Sequence, residues 1–200
     1  VWCDAMEFRD DMEAGRHDGR SIDGVVLCHP NSPTGQACSA DDVARLAKAT
    51  RRRGHWLVID EAFADYCPER SVLPHAAAWS HVVVLRSMTK FYALPGLRVG
   101  YAVATRITAR QLQWQLPPWS VSAMGQVAAL AAVNDAAHAR KSLQFMARER
   151  DRLRALLVAL PGCVVMPTHA NYFLVELPRG WQARDMTKQL RSTGLLIRDC

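Results

Sequence analysis

The chain has 200 residues, enough to bury a sizeable core, and half of them are hydrophobic. Charged residues make up 22% and leave a formal net charge of +6, but the basic residues are scattered, so the charge suits a small anion such as a phosphate ester and no nucleic-acid partner is expected. No apolar run approaches the ~20 residues of a membrane span and no secretory signal opens the chain, so no membrane partner is expected either.

Six cysteines occur: Cys3, Cys28, Cys38, Cys67, Cys163 and Cys200. None forms a C-x-x-C pair, and the spacings fit neither a zinc site nor a small disulfide scaffold. They read as reduced thiols of a cytoplasmic protein. The first residue is Val1, and Cys200 follows "LLIRD" with nothing closing the domain. Both ends suggest a fragment of a longer chain.

Residues 1–23 are charged and aperiodic and predict no regular element. "GVVLCHP", from Gly24 to Pro30, is a short apolar run stopped by proline, a buried strand, and "NSPTG" is the loop after it. Ser39 and Asp42 form a capping box for a helix with Val43, Leu46, Ala47 and Thr50 on one face and Gly54 as its stop. Arg51, Arg52 and Arg53 fall at its end, where cations complement the helix dipole. "HWLVIDEAF", "HVVVLRS" and "LRVGYAVA" follow as strands. Strands rich in Val, Ile and Leu with a helix between them pair in parallel. The last of them follows its neighbour after a short connection, which allows an antiparallel edge.

From about Thr108 the pattern turns helical. "SVSAMGQVAALAAV" is apolar nearly all round and predicts a buried helix. Residues 139–160 predict a long helix with Leu143, Met146, Leu153, Leu156 and Leu160 as its apolar stripe, ended by Pro161 and Gly162. Two strands, "CVVM" and "NYFLVEL", then a helix around 182–192 and a strand-like "LLI" complete the chain. The expected fold is α/β: a large domain over 1–145 and a smaller α+β C-terminal domain over 146–200.

Three segments carry chemistry: "HPNSPTG" at 29–35, "VIDEAFADY" at 58–66 and "LRSMTKFYALPGLRVGY" at 85–101. Each lies at or just past the C-terminal end of a strand, where open α/β sheets bind ligands. Asp60 ends an apolar run and needs a partner for its charge. Lys90 follows another such run, where a neutral amine serves Schiff-base chemistry. Ser87, Thr89 and Arg98 offer two hydroxyls and a bidentate cation, a phosphate cup. Singly, each has a bland reading: a surface lysine, a helix-start acid pair at Asp60–Glu61, a turn. Their order along the chain is what makes them specific.

"PNSPTG", "DEAF", "S-M-T-K" and "GLRVGY" closely resemble the motifs of class I and II aminotransferases. The nearest branch contains histidinol-phosphate aminotransferase and the L-threonine-O-3-phosphate decarboxylase of cobalamin biosynthesis. The resemblance runs from about Gly24 to Cys200 and implies an aspartate-aminotransferase-like three-layer sandwich with a mostly parallel sheet. It implies pyridoxal 5′-phosphate as cofactor, with Lys90 as its Schiff-base lysine, Asp60 on the pyridine nitrogen and Asn31 on the phenolic oxygen. Ser87 and Arg98 would hold the phosphate, with Thr89 beside them. A small phosphorylated amino acid as substrate and a homodimer are also implied.

Two departures from the family pattern matter. Ser32 stands where many relatives have Asn, which leaves open whether Asn31 or Ser32 faces the ring. Phe63 stands where many aminotransferases have a tyrosine that donates to the phenolic oxygen. Losing that donor raises the pKa of the Schiff base, and Phe63→Tyr is expected to lower it. "PPWSVSA", Phe63 and "ANYFLVEL" followed by "LLIRDC" look more like the decarboxylase than the aminotransferase. The implied reaction is decarboxylation of L-threonine O-3-phosphate to aminopropanol phosphate, with histidinol-phosphate transamination as the alternative. A third reading, a non-catalytic effector module of a transcriptional regulator, finds no helix-turn-helix pattern in the chain.

Asn171 and Tyr172 in "HANYF" are candidate substrate contacts or structural polar residues. His169 reads as a surface residue, and His29 as packing behind the cofactor. Trp114 and Trp119 read as core or interface, and Tyr92 as close to the cofactor or a partner chain.

Overall fold

The structure, a computed structural model, describes residues 23–200. The aperiodic segment assigned to residues 1–23 and the thiol of Cys3 lie outside it, apart from Asp23.

Strands β1 (Gly24–Cys28), β2 (Trp56–Asp60), β3 (Val82–Ser87) and β4 (Gly100–Val103) form one sheet in that order. β1, β2 and β3 are parallel, and β4 runs antiparallel to β3. Twelve residues, 88–99, join β3 to β4, with one short turn of helix at Pro95–Leu97 in place of a crossover helix, and the chain returns antiparallel. At Gly100 an added Cβ would lie 2.7 Å from the Arg86 carbonyl oxygen, so only glycine lets the two strands approach here.

Helix α1 (Ala40–Arg52) connects β1 to β2. Its capping box is formed: Asp42 N donates to Ser39 Oγ at 3.1 Å and Ser39 N to Asp42 Oδ2 at 3.4 Å. Asp41 and Asp42 open the helix and Arg51 and Arg52 end it, both favourable to its dipole. Gly54 stops it at φ +74°, with its N–H donating to the Arg51 carbonyl. Val43, Leu46, Ala47 and Thr50 are buried, as the spacing predicts. They pack on Leu57, Ile59, Val82 and Val84, joined by Val72 and by Ala76 of the short helix α2 (Leu73–Ala76). Burying a side chain such as Leu57 contributes about 1.5–3 kcal/mol.

The mixed α/β architecture with a mostly parallel sheet is thus present. Among the described residues, however, this core covers one face of the sheet. The other face carries Val26, 75% exposed, with Trp56 and Leu85 also exposed.

Helices α3 (Arg106–Gln115), α4 (Ala123–Asn134) and α5 (Ala136–Val158) follow. The burial expected for α4 is not found. Met124 is 72% exposed, and Val127 and Leu130 are also exposed. Apolarity all round a helix states that it needs cover; no described residue supplies that cover. Along α5, Leu143 and Met146 are half-buried, while Leu153, Leu156 and the following Leu160 are exposed.

Strands β5 (Val164–Val165) and β6 (Val175–Glu176) form a two-stranded antiparallel sheet, followed by helix α6 (Ala183–Ser192). The strand expected over "NYFLVEL" is paired only at its end, because Tyr172 turns towards the loop after β1. "LLI" at 195–197 has no regular structure and is exposed. No helix among the described residues is long and apolar enough to cross a membrane.

Candidate active site

β1, β2 and β3 run in parallel, so their C-terminal ends share one edge of the sheet. Asp60 ends β2 and lies in register with Cys28, which ends β1, and with Leu85 of β3. Ser87 ends β3, two residues beyond Leu85. Side chains alternate along a strand, so Cys28, Asp60, Leu85 and Ser87 project from the face opposite the core. Asp60 is half-buried, and its Oδ1 accepts from Ala62 N at 3.0 Å. Burial pushes the Cys28 thiol up, which keeps it protonated and unreactive beside Asp60.

The loop after β1 is held from within. Gly35 N donates to the Asn31 carbonyl at 2.6 Å, and Asn31 N to the Gln36 carbonyl at 2.7 Å. Thr34 donates to Asn31 Oδ1 from its amide at 3.3 Å and from its hydroxyl at 2.9 Å. The side-chain oxygen of Asn31 is therefore spoken for, and Nδ2 remains as its donor. Gly35 sits at φ +74°, where an added Cβ would lie 1.9 Å from Thr168 Oγ1.

Residues 168–172 close over this loop. Tyr172 Oη donates to the Asn31 carbonyl at 2.8 Å, and His169 N donates to the Gly35 carbonyl at 2.7 Å. Burial pushes the Tyr172 phenol up to about 12, with a hydrogen bond to Ser32 opposing it. The Phe63 and Tyr172 rings meet edge to face, centroids 5.0 Å apart. Lys90 Nζ lies over the Phe63 ring, 5.7 Å from its centroid. Asn31, Tyr172, Phe63 and Lys90 are thus linked by successive contacts.

Ser87 and Thr89 are brought together, their hydroxyls 2.7 Å apart. Arg98 is not drawn in with them: it is exposed, in left-handed backbone at φ +51°, and donates to the Pro95 carbonyl at 3.2 Å. Asn171 is exposed. His29 is buried behind the loop, with Nε2 3.1 Å from the Arg70 carbonyl, and burial lowers its pKa. His169, expected at the surface, is half-buried, because its backbone is tied to Gly35. Trp114 and Trp119 are not core: Trp119 is 96% exposed. Tyr92 packs its ring against Phe91 and bonds Asp65.

Glu61 was read as half of a helix-start acid pair, but the structure makes it a fully buried ion. Its Oε2 accepts from Ser71 Oγ at 2.6 Å and from Arg86 Nη1 at 2.9 Å, and its Oε1 from Val72 N at 2.7 Å. Arg86 also donates to Asp65. The available signal was an arginine inside the apolar run of β3, a charge that must be paired.

The profile of the family described as aminotransferase class I and II matches residues 3–200. The chain is 35% identical to the threonine-phosphate decarboxylase of Salmonella typhimurium over 90% of this chain and 49% of the relative. It is 34% identical to the histidinol-phosphate aminotransferase of Moorella thermoacetica over 87% and 45%. The solved histidinol-phosphate aminotransferase of Sinorhizobium meliloti, in complex with pyridoxal-5′-phosphate, superposes with a TM-score of 0.80 at 27% identity, covering 88% of this chain and 48% of that one. The chain spans about half the length of the curated relatives it matches. By its profile match, by these relatives and by the strand-end motifs that carry the site, the chain belongs to the aminotransferase class I and II family.

Proposed function

We propose that the chain uses pyridoxal 5′-phosphate, held on Lys90, to decarboxylate L-threonine O-3-phosphate. The observation that carries the cofactor site is the placement of Lys90, Asp60, Asn31 and the Ser87–Thr89 pair around one sheet edge. The donor set fits the group. Asp60 would offer its carboxylate to the ring nitrogen and favour its protonated form. Asn31 offers Nδ2 to the phenolic oxygen, which its bonds to Thr34 favour over Ser32, whose hydroxyl pairs with Tyr172. Ser87 and Thr89 offer hydroxyls to the phosphate, and Arg98 would exchange the Pro95 carbonyl for phosphate oxygens.

When bound, the cofactor supplies the electron sink for the bond that breaks next to the amino group. The chain's residues do the rest. Phe63 and Tyr172 supply apolar surface beside the Lys90 amine, which is itself exposed. In the decarboxylation, the bond from the α-carbon to the carboxylate breaks, carbon dioxide leaves, and Lys90 delivers a proton to the α-carbon. Asn171 is a proposed contact for the substrate. A homodimer is proposed from the exposed apolar face of α4 and from Trp119, which need cover.

The decarboxylase reading draws on the Salmonella relative, and the aminotransferase reading on the Moorella one at nearly the same identity. The two readings differ in substrate and in the bond broken next to the amino group: the bond to the carboxylate in decarboxylation, the bond to hydrogen in transamination. One assay separates them. The purified protein, loaded with cofactor and given O-phospho-L-threonine without any keto acid, is expected to release carbon dioxide. No release, with amino transfer from histidinol phosphate to a keto acid, would move the assignment to the aminotransferase. Neither activity would sink both.

Phe63→Tyr is expected to lower the pH midpoint of the bound cofactor's visible band by about one unit, the value of one hydrogen bond to the charged form. A spectrophotometric titration reads it, and an unchanged midpoint would show that position 63 does not reach the phenolic oxygen.

A further inference from the structure

We propose that the buried ion cluster of Glu61, Arg86 and Asp65 is the positioning device for the cofactor site. The inference rests on the reading that Asp60, Ser87 and Lys90 hold the cofactor. Glu61 directly follows Asp60, and Arg86 directly precedes Ser87. Alternation along the chain turns each ion to the core side and each site residue to the ligand side. The two pairs stand back to back, joined by single peptide units.

The contact between Arg86 Nη1 and Glu61 Oε2 at 2.9 Å therefore sets the distance between the ends of β2 and β3. The backbone bond from Glu61 N to the Leu85 carbonyl, also 2.9 Å, fixes the same junction. Asp65 extends the cluster by accepting from Arg86 and bonding Tyr92, two residues beyond Lys90. Arg86 thus ties β3 to the end of β2 directly, and the Lys90 loop joins the cluster through Tyr92 and Asp65. Ser71 Oγ and Val72 N complete the shell of Glu61.

Stability alone does not call for this arrangement. The same face of the sheet is otherwise Val, Leu and Ile, and a well-packed apolar pair usually matches a buried ion pair. The cluster is imperfect as a stabiliser: Arg86 Nε is buried without a partner, and two carboxylates share one cation. What ions give and apolar packing does not is direction. A two-armed guanidinium holds its partners at fixed angles, which supports a site needing sub-ångström placement.

The test uses the protein loaded with pyridoxal phosphate and two mild variants. Arg86→Lys keeps the charge and loses the two-armed geometry. Asp65→Asn keeps the shape and weakens the tie to the Lys90 loop. Each is expected to weaken cofactor binding roughly tenfold and to change the visible circular dichroism of the bound cofactor, which reports its orientation. Thermal melting of the cofactor-free proteins monitors the fold separately. Wild-type affinity and dichroism in both variants would overturn the inference, whatever happens to the melting temperature. Lys90→Ala separates the two layers of argument. If it keeps the wild-type visible band, the cofactor-site reading itself fails and this inference falls with it. If it loses the band while both cluster variants match wild type, only the positioning role falls.

Discussion

Replacing Lys90 by alanine is expected to abolish the visible band of the lysine-bound cofactor and to cut turnover by on the order of 10³-fold or more, the scale of losing a positioned proton-transfer group. Four lysines occur in the chain: Lys48, Lys90, Lys141 and Lys188. Lys48 lies on α1, Lys141 on α5 and Lys188 on α6, so Lys90 alone stands at the strand ends. No neighbour can take over its chemistry. Lys90→Arg should fail equally, because a guanidinium is never deprotonated in a protein and cannot act as a nucleophile. That variant matters because it keeps the positive charge beside Phe63. Absorbance spectra and carbon dioxide counting check both substitutions. Substantial turnover in either would show that the reactive amine is elsewhere. Cofactor binding should weaken without vanishing, since Asp60, Asn31 and the Ser87–Thr89 pair remain.

The second large effect falls on Glu61. Glu61→Ala should destabilise the fold by about 3–5 kcal/mol, because it leaves the Arg86 guanidinium buried beside Asp65 alone and strips Val72 N of its acceptor. For a chain of this size that is a fall in melting temperature of roughly 10 °C or more. The neighbouring Asp60→Asn should behave in the opposite way. Asp60 is half-buried on the ligand face, and asparagine can still accept from Ala62 N. Its fold should persist while its cofactor chemistry is lost. Calorimetry on the two variants, one residue apart, reads the difference. A melting temperature within two or three degrees of wild type for Glu61→Ala would mean the buried pair does not carry the junction of β2 and β3.

The strands of the large sheet were readable because each is an apolar run closed by proline, glycine or a charged residue. The reversal at β4 was readable as an option, because no helical pattern separates it from β3, and β4 does run antiparallel. The capping box of Ser39 and Asp42 is a purely local device and appears as expected. Long-range pairings were not readable. Nothing near Glu61 announces that its partner is Arg86, 25 residues away. Nothing near Tyr172 announces that its hydroxyl goes to Asn31, and that turn cost "NYFLVEL" most of its expected pairing. Residues Met124, Val127 and Leu130 show the limit from the other side: a pattern can state that a surface is apolar without stating what lies on it. Among the site residues, Ser87 and Thr89 meet as their spacing suggested, whereas Arg98 turns to Pro95.

The bonds from Tyr172 to Asn31 and from His169 to Gly35 join parts of the chain that are remote in sequence. Thermodynamic linkage makes such a joint reciprocal. A ligand that orders residues 31–35 tightens residues 168–172 by the same free energy, and a displacement of the C-terminal segment changes ligand affinity by the same factor. Ligand affinity at residues 31–35 is then expected to respond to substitution of Thr168, with every residue of that loop left in place.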